Sequence, residues 1–172
     1  MRHEWTDTLS DGTRVRIRPI TSDDLDAERT FLGRLSAESL RGRFLGGVNH
    51  LSEKDLQRLC DIDHEHEMAF VAMGGNGADS EVGASRYAVD GESDQAEIAV
   101  VVADDWQHKG LGSLLLMHLL DYAKLHAINE LHSLEFADNE AMRRLARDFG
   151  FREAPDPDNP ELVRYTLNLA RT

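Results

Sequence analysis

The sequence has almost no cysteine and no long apolar run. Cys60 is the single cysteine of the 172 residues, so the chain can form neither an internal disulfide nor a cysteine cluster around a metal. The longer apolar runs, such as residues 98–103, fall far short of the roughly 20 residues that a membrane-spanning helix needs. Residues 1–5 lack the apolar stretch of a signal peptide. We therefore expect a cytoplasmic protein that does not act in a membrane.

Basic residues are also scarce. The chain has 19 lysines and arginines against 32 aspartates and glutamates, which gives a net charge of −13. This balance argues against nucleic acid or an anionic membrane surface as a partner and favours a cationic substrate. Acidity that serves only solubility is the alternative. The length predicts a single domain over residues 1–172.

The order of apolar patterns predicts an α/β (α+β) fold. Alternating or apolar segments predict strands at 13–20, 68–73, 81–89, 95–103, 131–136 and 162–169. Helical spacing predicts helices that begin near residues 21, 36 and 52, and helices over 107–127 and 139–148. Three consecutive strands in the middle form an antiparallel meander in this interpretation. We expect a mixed, largely antiparallel central sheet flanked by helices.

The most informative segment is Gln107-His108-Lys109-Gly110-Leu111-Gly112, between an apolar strand and a long helix. The first turn of a helix has unpaired N–H groups and a partial positive charge, and glycines allow ligand oxygens to approach the backbone. A P-loop and a dinucleotide fingerprint both fail on spacing, since Leu115 stands where the latter needs a third glycine. The segment predicts a pyrophosphate site, while close packing of the helix on the sheet is the alternative.

Gln-x-x-Gly-x-Gly after such a strand resembles the acyl-CoA-binding motif of the GNAT N-acetyltransferase superfamily. Residues 139–151, with Asn139 at the start and Phe149-Gly150-Phe151 at the end, are similar to a later helix of that superfamily. Residues 11–20 and 101–107 more narrowly resemble the acetyltransferase domain of bacterial protein lysine acetyltransferases. The resemblance implies a GNAT fold, acetyl-CoA as cosubstrate without a metal, and an amine acceptor, with a protein lysine in the lead.

The resemblance also implies which residues hold the cosubstrate. Backbone groups of Val100, Val101 and Val102 would hold the pantetheine and the acyl carbonyl. The pyrophosphate would lie on Gln107, His108, Lys109, Gly110, Leu111, Gly112 and Ser113. Lys109 is equally well explained as a solvated lysine. Asn139 matches a position that contacts the cofactor arm, or it simply caps a helix.

Attack on a thioester needs a neutral amine, so a base must accept a proton from a lysine whose free pKa is about 10.4. Glu97 interrupts an apolar strand and resembles the strand glutamate that is the general base in histone-modifying members. A solvated position on the sheet is the alternative reading of Glu97. Glu67 is a second acidic candidate, on a neighbouring strand. It ends the cluster 64–67, which fits no zinc spacing.

One residue departs from the family pattern. Many members have a tyrosine four residues before the glycine that ends the later helix, where it protonates the leaving thiolate, and this chain has Ala146 there. Two alternatives to protein lysine acetylation stay open, and the missing tyrosine favours the second of them. In the first alternative, the acceptor is a small polyamine-like or antibiotic amine. In the second, the chain is a non-catalytic acyl-CoA-binding sensor. The sequence does not fix the oligomeric state.

Overall fold

The computed structural model describes residues 3–45, 50–75 and 80–171. The helices are α1 (Leu25–Gly33), α2 (Ala37–Phe44), α3 (Glu53–Cys60), α4 (Leu111–Leu125) and α5 (Glu140–Asp148). The strands are β1 (Trp5–Thr8), β2 (Arg14–Pro19), β3 (Glu67–Gly74), β4 (Ser80–Val89), β5 (Gln95–Val102), β6 (Glu130–Phe136), β7 (Arg152–Pro155) and β8 (Leu162–Asn168). This mixed fold, with helices around a sheet, confirms the predicted class.

Several helices begin where the sequence supplies a capping side chain. The Ser36 side chain accepts a hydrogen bond from the Ser39 N–H at the start of α2. The Ser52 side chain accepts one from the Asp55 N–H in α3, where the Asp55 carboxylate also reaches back to form a capping box. Such caps satisfy N–H groups that have no partner within the helix.

One sheet of eight strands runs through the molecule in the order β1-β2-β3-β4-β5-β6-β8-β7. All neighbouring strands are antiparallel except β5 and β6, which are parallel. The parallel pairing covers only Gln95–Glu97 against residues 130–132, although both strands continue beyond it. The two strands therefore separate in the middle of the sheet after Glu97 and His132.

Different helices cover the two faces of the sheet. Helices α1, α2 and α3 cover one face, where Val71 and Val101 are buried with residues of these helices. Helix α4 is buried on the other face, where Leu115, Leu116 and Leu119 have no exposed surface. Helix α4 is deeply buried because it carries leucines on several sides and each side contacts apolar neighbours.

The structure differs from the sequence-based predictions in the start of one helix and in two strands that were not predicted. Helix α4 begins at Leu111, whereas the helix was expected from residue 107, because Gly110 adopts a left-handed conformation that a helix does not continue. The short edge strands β1 and β7 were not predicted from their residues. In the described part of the chain, no helix has the length and apolar character needed to cross a membrane.

Candidate active site

The separation of β5 from β6 opens a cleft of about 640 Å³. Its walls come from β5, β6, α2, the start of α4 and one side of α5. Val100, Val101 and Val102 line it from β5, and Glu135 and Phe136 line it from β6. Beyond Glu97 no pairing with β6 continues, so backbone groups on this side of β5 face the cleft. An extended ligand can hydrogen-bond there as a missing strand would.

The N-terminus of α4 forms one end of the cleft. Gly110, Leu111, Gly112 and Ser113 all line it. The first hydrogen bond of the helix is donated by the Leu114 N–H to the Gly110 carbonyl at 3.2 Å, so the N–H groups of residues 111–113 precede it. Helix starts with such unpaired N–H groups bind anions readily.

The two glycines of this segment are required for different reasons. Gly110 has a φ of +89°, which side chains rarely tolerate. A Cβ at Gly112 would lie 3.8 Å from Val102 Cγ2 and 4.0 Å from Leu145 Cδ2, which is ordinary contact. Packing on the sheet therefore does not demand glycine at position 112. The absence of a side chain instead keeps this part of the cleft open.

Side chains around the turn after β5 hold it in place. Gln107 Nε2 donates to the Val102 carbonyl at 3.2 Å and to Ser39 Oγ at 3.3 Å. Asp104 accepts hydrogen bonds from the Ser36 N–H, the Ser36 hydroxyl and the Ser39 hydroxyl. Burial opposes ionisation of Asp104, but these hydrogen bonds outweigh it and lower its pKa. Helix α2 is thereby fixed to the turn.

The predicted cosubstrate residues fall in the cleft with one exception. His108 lines it and has a left-handed φ of 61°. Asn139 lines it as well, and its side chain caps α5 by accepting from the Met142 N–H at 3.1 Å. Lys109 does not belong to the lining. Its ammonium group lies 3.3 Å from an Asp11 carboxylate oxygen and 5.2 Å from the centre of the Trp106 ring.

The two acidic candidates lie on one row across the sheet. Glu67 is aligned with Ala88, Ala88 with Glu97, and Glu97 with His132. Aligned residues of neighbouring strands point to the same face. This row lies at the end of the sheet face that α1, α2 and α3 leave uncovered, and Ala88 and Glu97 are exposed. Glu97 therefore stands on the solvated side of the sheet, at the point where β5 and β6 part.

Sequence reasoning missed Glu135 and Arg43. Glu135 is 8% exposed and lines the cleft. The Ser133 hydroxyl donates a hydrogen bond to one carboxylate oxygen, and Asn139 Nδ2 donates to the other at 3.3 Å. Burial raises the pKa of Glu135 to about 7, although these hydrogen bonds and the Arg43 charge oppose the rise. The sequence did contain one signal for Glu135, namely a polar residue at a strand position that faces inward.

Arg43 lines the same cleft from α2. Burial, reinforced by the charge of Arg86, lowers the pKa of Arg43 to about 10, and the carboxylates of Glu28, Glu135 and Glu97 oppose this change. At neutral pH Arg43 is thus a cation within electrostatic reach of both Glu97 and Glu135. It resides on a helix far from both in the sequence, so no local pattern pointed to it.

The Acetyltransferase (GNAT) family matches residues 34–151, which is well over half of the chain. The chain belongs to the GNAT acetyltransferase family. It is therefore an acyltransferase. Acetyltransferase PA5475 of Pseudomonas aeruginosa is 42% identical over 166 residues, which cover 96% of this chain and 89% of that protein.

A second relative and a solved structure agree with this assignment. Acetyltransferase Pat of Mycolicibacterium smegmatis is 28% identical over 142 residues, which cover 81% of this chain but 41% of Pat. The crystal structure of the GNAT domain of S. lividans PAT superimposes with a TM-score of 0.87 at 27% identity, over 96% of this chain and 97% of that domain. The chain thus matches a part of Pat and nearly all of the S. lividans domain.

GNAT acetyltransferases use acetyl-CoA, and the residues of the cleft fit it. The open edge of β5 suits the amides of a pantetheine arm, and the uncrowded Gly112 beside the first N–H groups of α4 suits a pyrophosphate. Among the described residues, no three His, Cys, Asp or Glu side chains are arranged to hold a metal ion.

Two residues that bear on the chemistry are excluded from the cleft. Ala146, at the position of the family tyrosine, is 1% exposed and packs in the core on the α4 side of the sheet. Cys60 is 2% exposed on the opposite side of the sheet, and burial raises the pKa of its thiol to about 12. The thiol therefore stays protonated and is no nucleophile. Any proton donor to the leaving group must come from another residue or from water.

Proposed function

We propose that the protein transfers the acetyl group of acetyl-CoA to the side-chain amine of a protein lysine, with Glu97 as the general base. The observation that carries the proposal is the position of Glu97, the last residue of β5 that pairs with β6. An amine that approaches along the exposed row reaches the inner end of the cleft at this residue. The acetyl group would enter the same point from the other side.

Different residues of the cleft bind different parts of acetyl-CoA in this proposal. The N–H groups at the start of α4 receive the pyrophosphate. The edge of Val100 to Val102, which β6 leaves unpaired and where the Val102 carbonyl already accepts from Gln107, orients the pantetheine and the acetyl carbonyl. Asn139 lies at the opposite wall. Lys109 adds positive charge near the turn but is engaged with Asp11, so we assign it no direct contact.

Glu97 accepts a proton from the amine as the amine attacks, directly or through one water molecule. Glu67 lies on the same row, with Ala88 between the two carboxylates. Because Ala88 is small and exposed, an ammonium group and the methylene chain behind it fit between the two acids. We assign Glu67 to holding the incoming cation rather than to the chemistry, since it lies farther from the cleft.

The exposure of this row favours a macromolecular acceptor over a small amine. Sites for small molecules are concave and enclose most of the ligand, whereas Ala88 and Glu97 lie on an open part of the sheet. A lysine on a protein brings its own surface and needs no enclosing pocket.

The test is release of free thiol from acetyl-CoA in the presence of lysine peptides, folded proteins and small polyamines. We expect thiol release with lysine-containing acceptors, together with an acetyl mass increment on lysine. Release with polyamines alone would support the small-amine alternative. Tight binding of acetyl-CoA without release in any mixture would support the sensor alternative.

A further inference from the structure

Glu135 is a buried carboxyl group of the cleft to which the reaction described above gives no part. It lies on β6, is 8% exposed and contributes to the lining. Both carboxylate oxygens accept hydrogen bonds, one from Ser133 and one from Asn139. A buried carboxyl costs free energy unless it is neutral or paired, so its retention in an active-site wall calls for a chemical reason.

The register of the sheet places Glu135 at the level of the acyl group. Glu97 is aligned with His132 in the parallel pair. If the strands stayed paired, Val100 would be aligned with Glu135, three residues farther along each strand. They part instead, and both residues line the gap. The carboxyl group therefore stands across the cleft from the part of β5 that is assigned to the acetyl carbonyl.

Charged and titratable groups on three neighbouring elements interact electrostatically with Glu135. They are Arg43 on α2, Glu97 on β5 and Tyr165 on β8. Burial is the main influence and raises the pKa of Glu135 to about 7, so protonated and ionised forms coexist at neutral pH. A group with a pKa near the working pH exchanges protons most effectively with a reacting atom.

We propose that Glu135 is a second catalytic residue, the acid that protonates the departing sulfur. The inference rests on the proposed function. The bound ammonium group first loses one proton to solvent and becomes a neutral amine. As the C–N bond forms and the C–S bond breaks, this nitrogen releases a second proton to Glu97. The sulfur receives a proton from the Glu135 carboxyl, which becomes a carboxylate. Solvent then returns a proton to Glu135 and removes one from Glu97, so the protons balance.

Arg43 supports this exchange. It lies within electrostatic reach of both carboxyl groups, and its positive charge favours the ionised form of Glu135. Before transfer Glu97 is the anion, and after transfer Glu135 is the anion. One cation thus serves both states, because the negative charge moves from one side of the cleft to the other while Arg43 stays in place.

The test compares wild type with Glu135→Gln, using acetyl-CoA and acetyl-seleno-CoA as donors. A selenolate leaves without needing a proton, whereas a thiolate benefits from one. We expect kcat with acetyl-CoA to fall about tenfold or more and its KM to change little. With acetyl-seleno-CoA the loss should be less than about threefold, since the acid is then unnecessary. Glu130→Gln, at the start of the same strand and outside the cleft lining, is the matched control.

The pH profile gives a second, independent readout. Glu135 must be protonated to act, so kcat of the wild type should decline as pH rises through the pKa of this group. Ser133→Ala removes a hydrogen bond that favours the ionised form, which raises the pKa, so the decline should move to higher pH. This variant keeps the carboxyl group and tests the proposal even if Glu135→Gln does not fold.

Equal losses with both donors in Glu135→Gln, or an alkaline decline that Ser133→Ala leaves in place, would overturn the role of Glu135. A wild-type rate with acetyl-CoA in folded Glu135→Gln would do the same. These outcomes differ from failure of the proposed function, in which wild type itself releases no thiol with any amine.

Discussion

Glu67 and Glu97 lie on the same row of the sheet, separated by the exposed side chain of Ala88. Neighbouring strands are about 4.8 Å apart, so the Cα atoms of the two glutamates are roughly 10 Å apart. In the proposed function, a primary amine enters between these two side chains. Only Glu97 also borders the opening between β5 and β6, and for this reason the proposal gives the proton transfer to Glu97 and not to Glu67.

Glu97→Gln should lower kcat by about a hundredfold or more, because the amide cannot accept the proton of the attacking amine. Affinity for acetyl-CoA should stay close to that of wild type, since Glu97 is outside the cleft lining. Steady-state kinetics and calorimetric titration measure the two quantities. Glu92→Gln, in an exposed turn, is the control, and an unchanged kcat in Glu97→Gln would remove the assignment.

Glu67→Gln should change the KM for the acceptor rather than kcat. Because Glu67 is assigned to the ammonium group before reaction, its loss should raise the KM for the acceptor several-fold while kcat changes little. The contrast with Glu97→Gln is measured with one lysine peptide under identical conditions. Loss of kcat as large as that of Glu97→Gln would instead place Glu67 in the proton transfer.

Gly112→Val should bind acetyl-CoA at least about tenfold more weakly, because the new side chain extends into the place assigned to the pyrophosphate. The fold should persist, since a Cβ at this position makes only ordinary contacts. Calorimetry gives the affinity and circular dichroism the fold. Gly33→Ala is the control, because a Cβ there meets no atom within 4 Å. Wild-type affinity in folded Gly112→Val would reject the pyrophosphate site.

Gly83→Ala should destabilise the protein by about 1–3 kcal/mol. A Cβ at Gly83 would lie 3.0 Å from Leu115 Cδ1 and 3.1 Å from the Val101 carbonyl oxygen. The leucine can move slightly, but the strand backbone cannot, so β4 and β5 must shift. Urea unfolding measures the change in the free energy of unfolding, with Gly33→Ala as the control. Equal stabilities of wild type and Gly83→Ala would show that β4 and β5 shift at this position without a cost in free energy.

The stability of the protein should fall as pH rises above the ordinary carboxyl range. Burial and the adjoining Glu28 raise the pKa of Glu81 far above its ordinary value of 4.5, so the folded chain retains a proton that the unfolded chain releases. The favourable contribution is complete below pH 4.5 and declines toward the raised pKa, by up to about 1.4 kcal/mol per pH unit.

Glu81→Gln tests this dependence, because the amide is neutral at every pH. It should be more stable than wild type at pH 8 and close to wild type near pH 4, and its stability should vary less between them. Urea unfolding at several pH values measures the difference, with exposed Glu161→Gln as the control. A variant that loses stability equally at both pH values would show that folding does not raise the pKa of Glu81.

The local sequence determined the turn and helix of the acyl-CoA motif, the meander β3-β4-β5 and the caps of α2 and α5. These features depend on neighbours along the chain: glycine for a left-handed residue, serine or asparagine for a free N–H, alternation for a strand. The edge strands β1 and β7 escaped because each spans four residues with little periodicity. Their positions are set by pairing with β2 and β8.

The tertiary structure alone decided how the acids and the cleft meet. Glu97 was visible in the sequence as a charge in an apolar strand, but its alignment with Ala88 and His132 depends on the register of three strands. The parting of β5 from β6 brings Glu135 and Arg43 to the cleft, and burial then sets their pKa values. No local pattern encodes such a juxtaposition, because it arises from strand pairing and helix packing between distant parts of the chain.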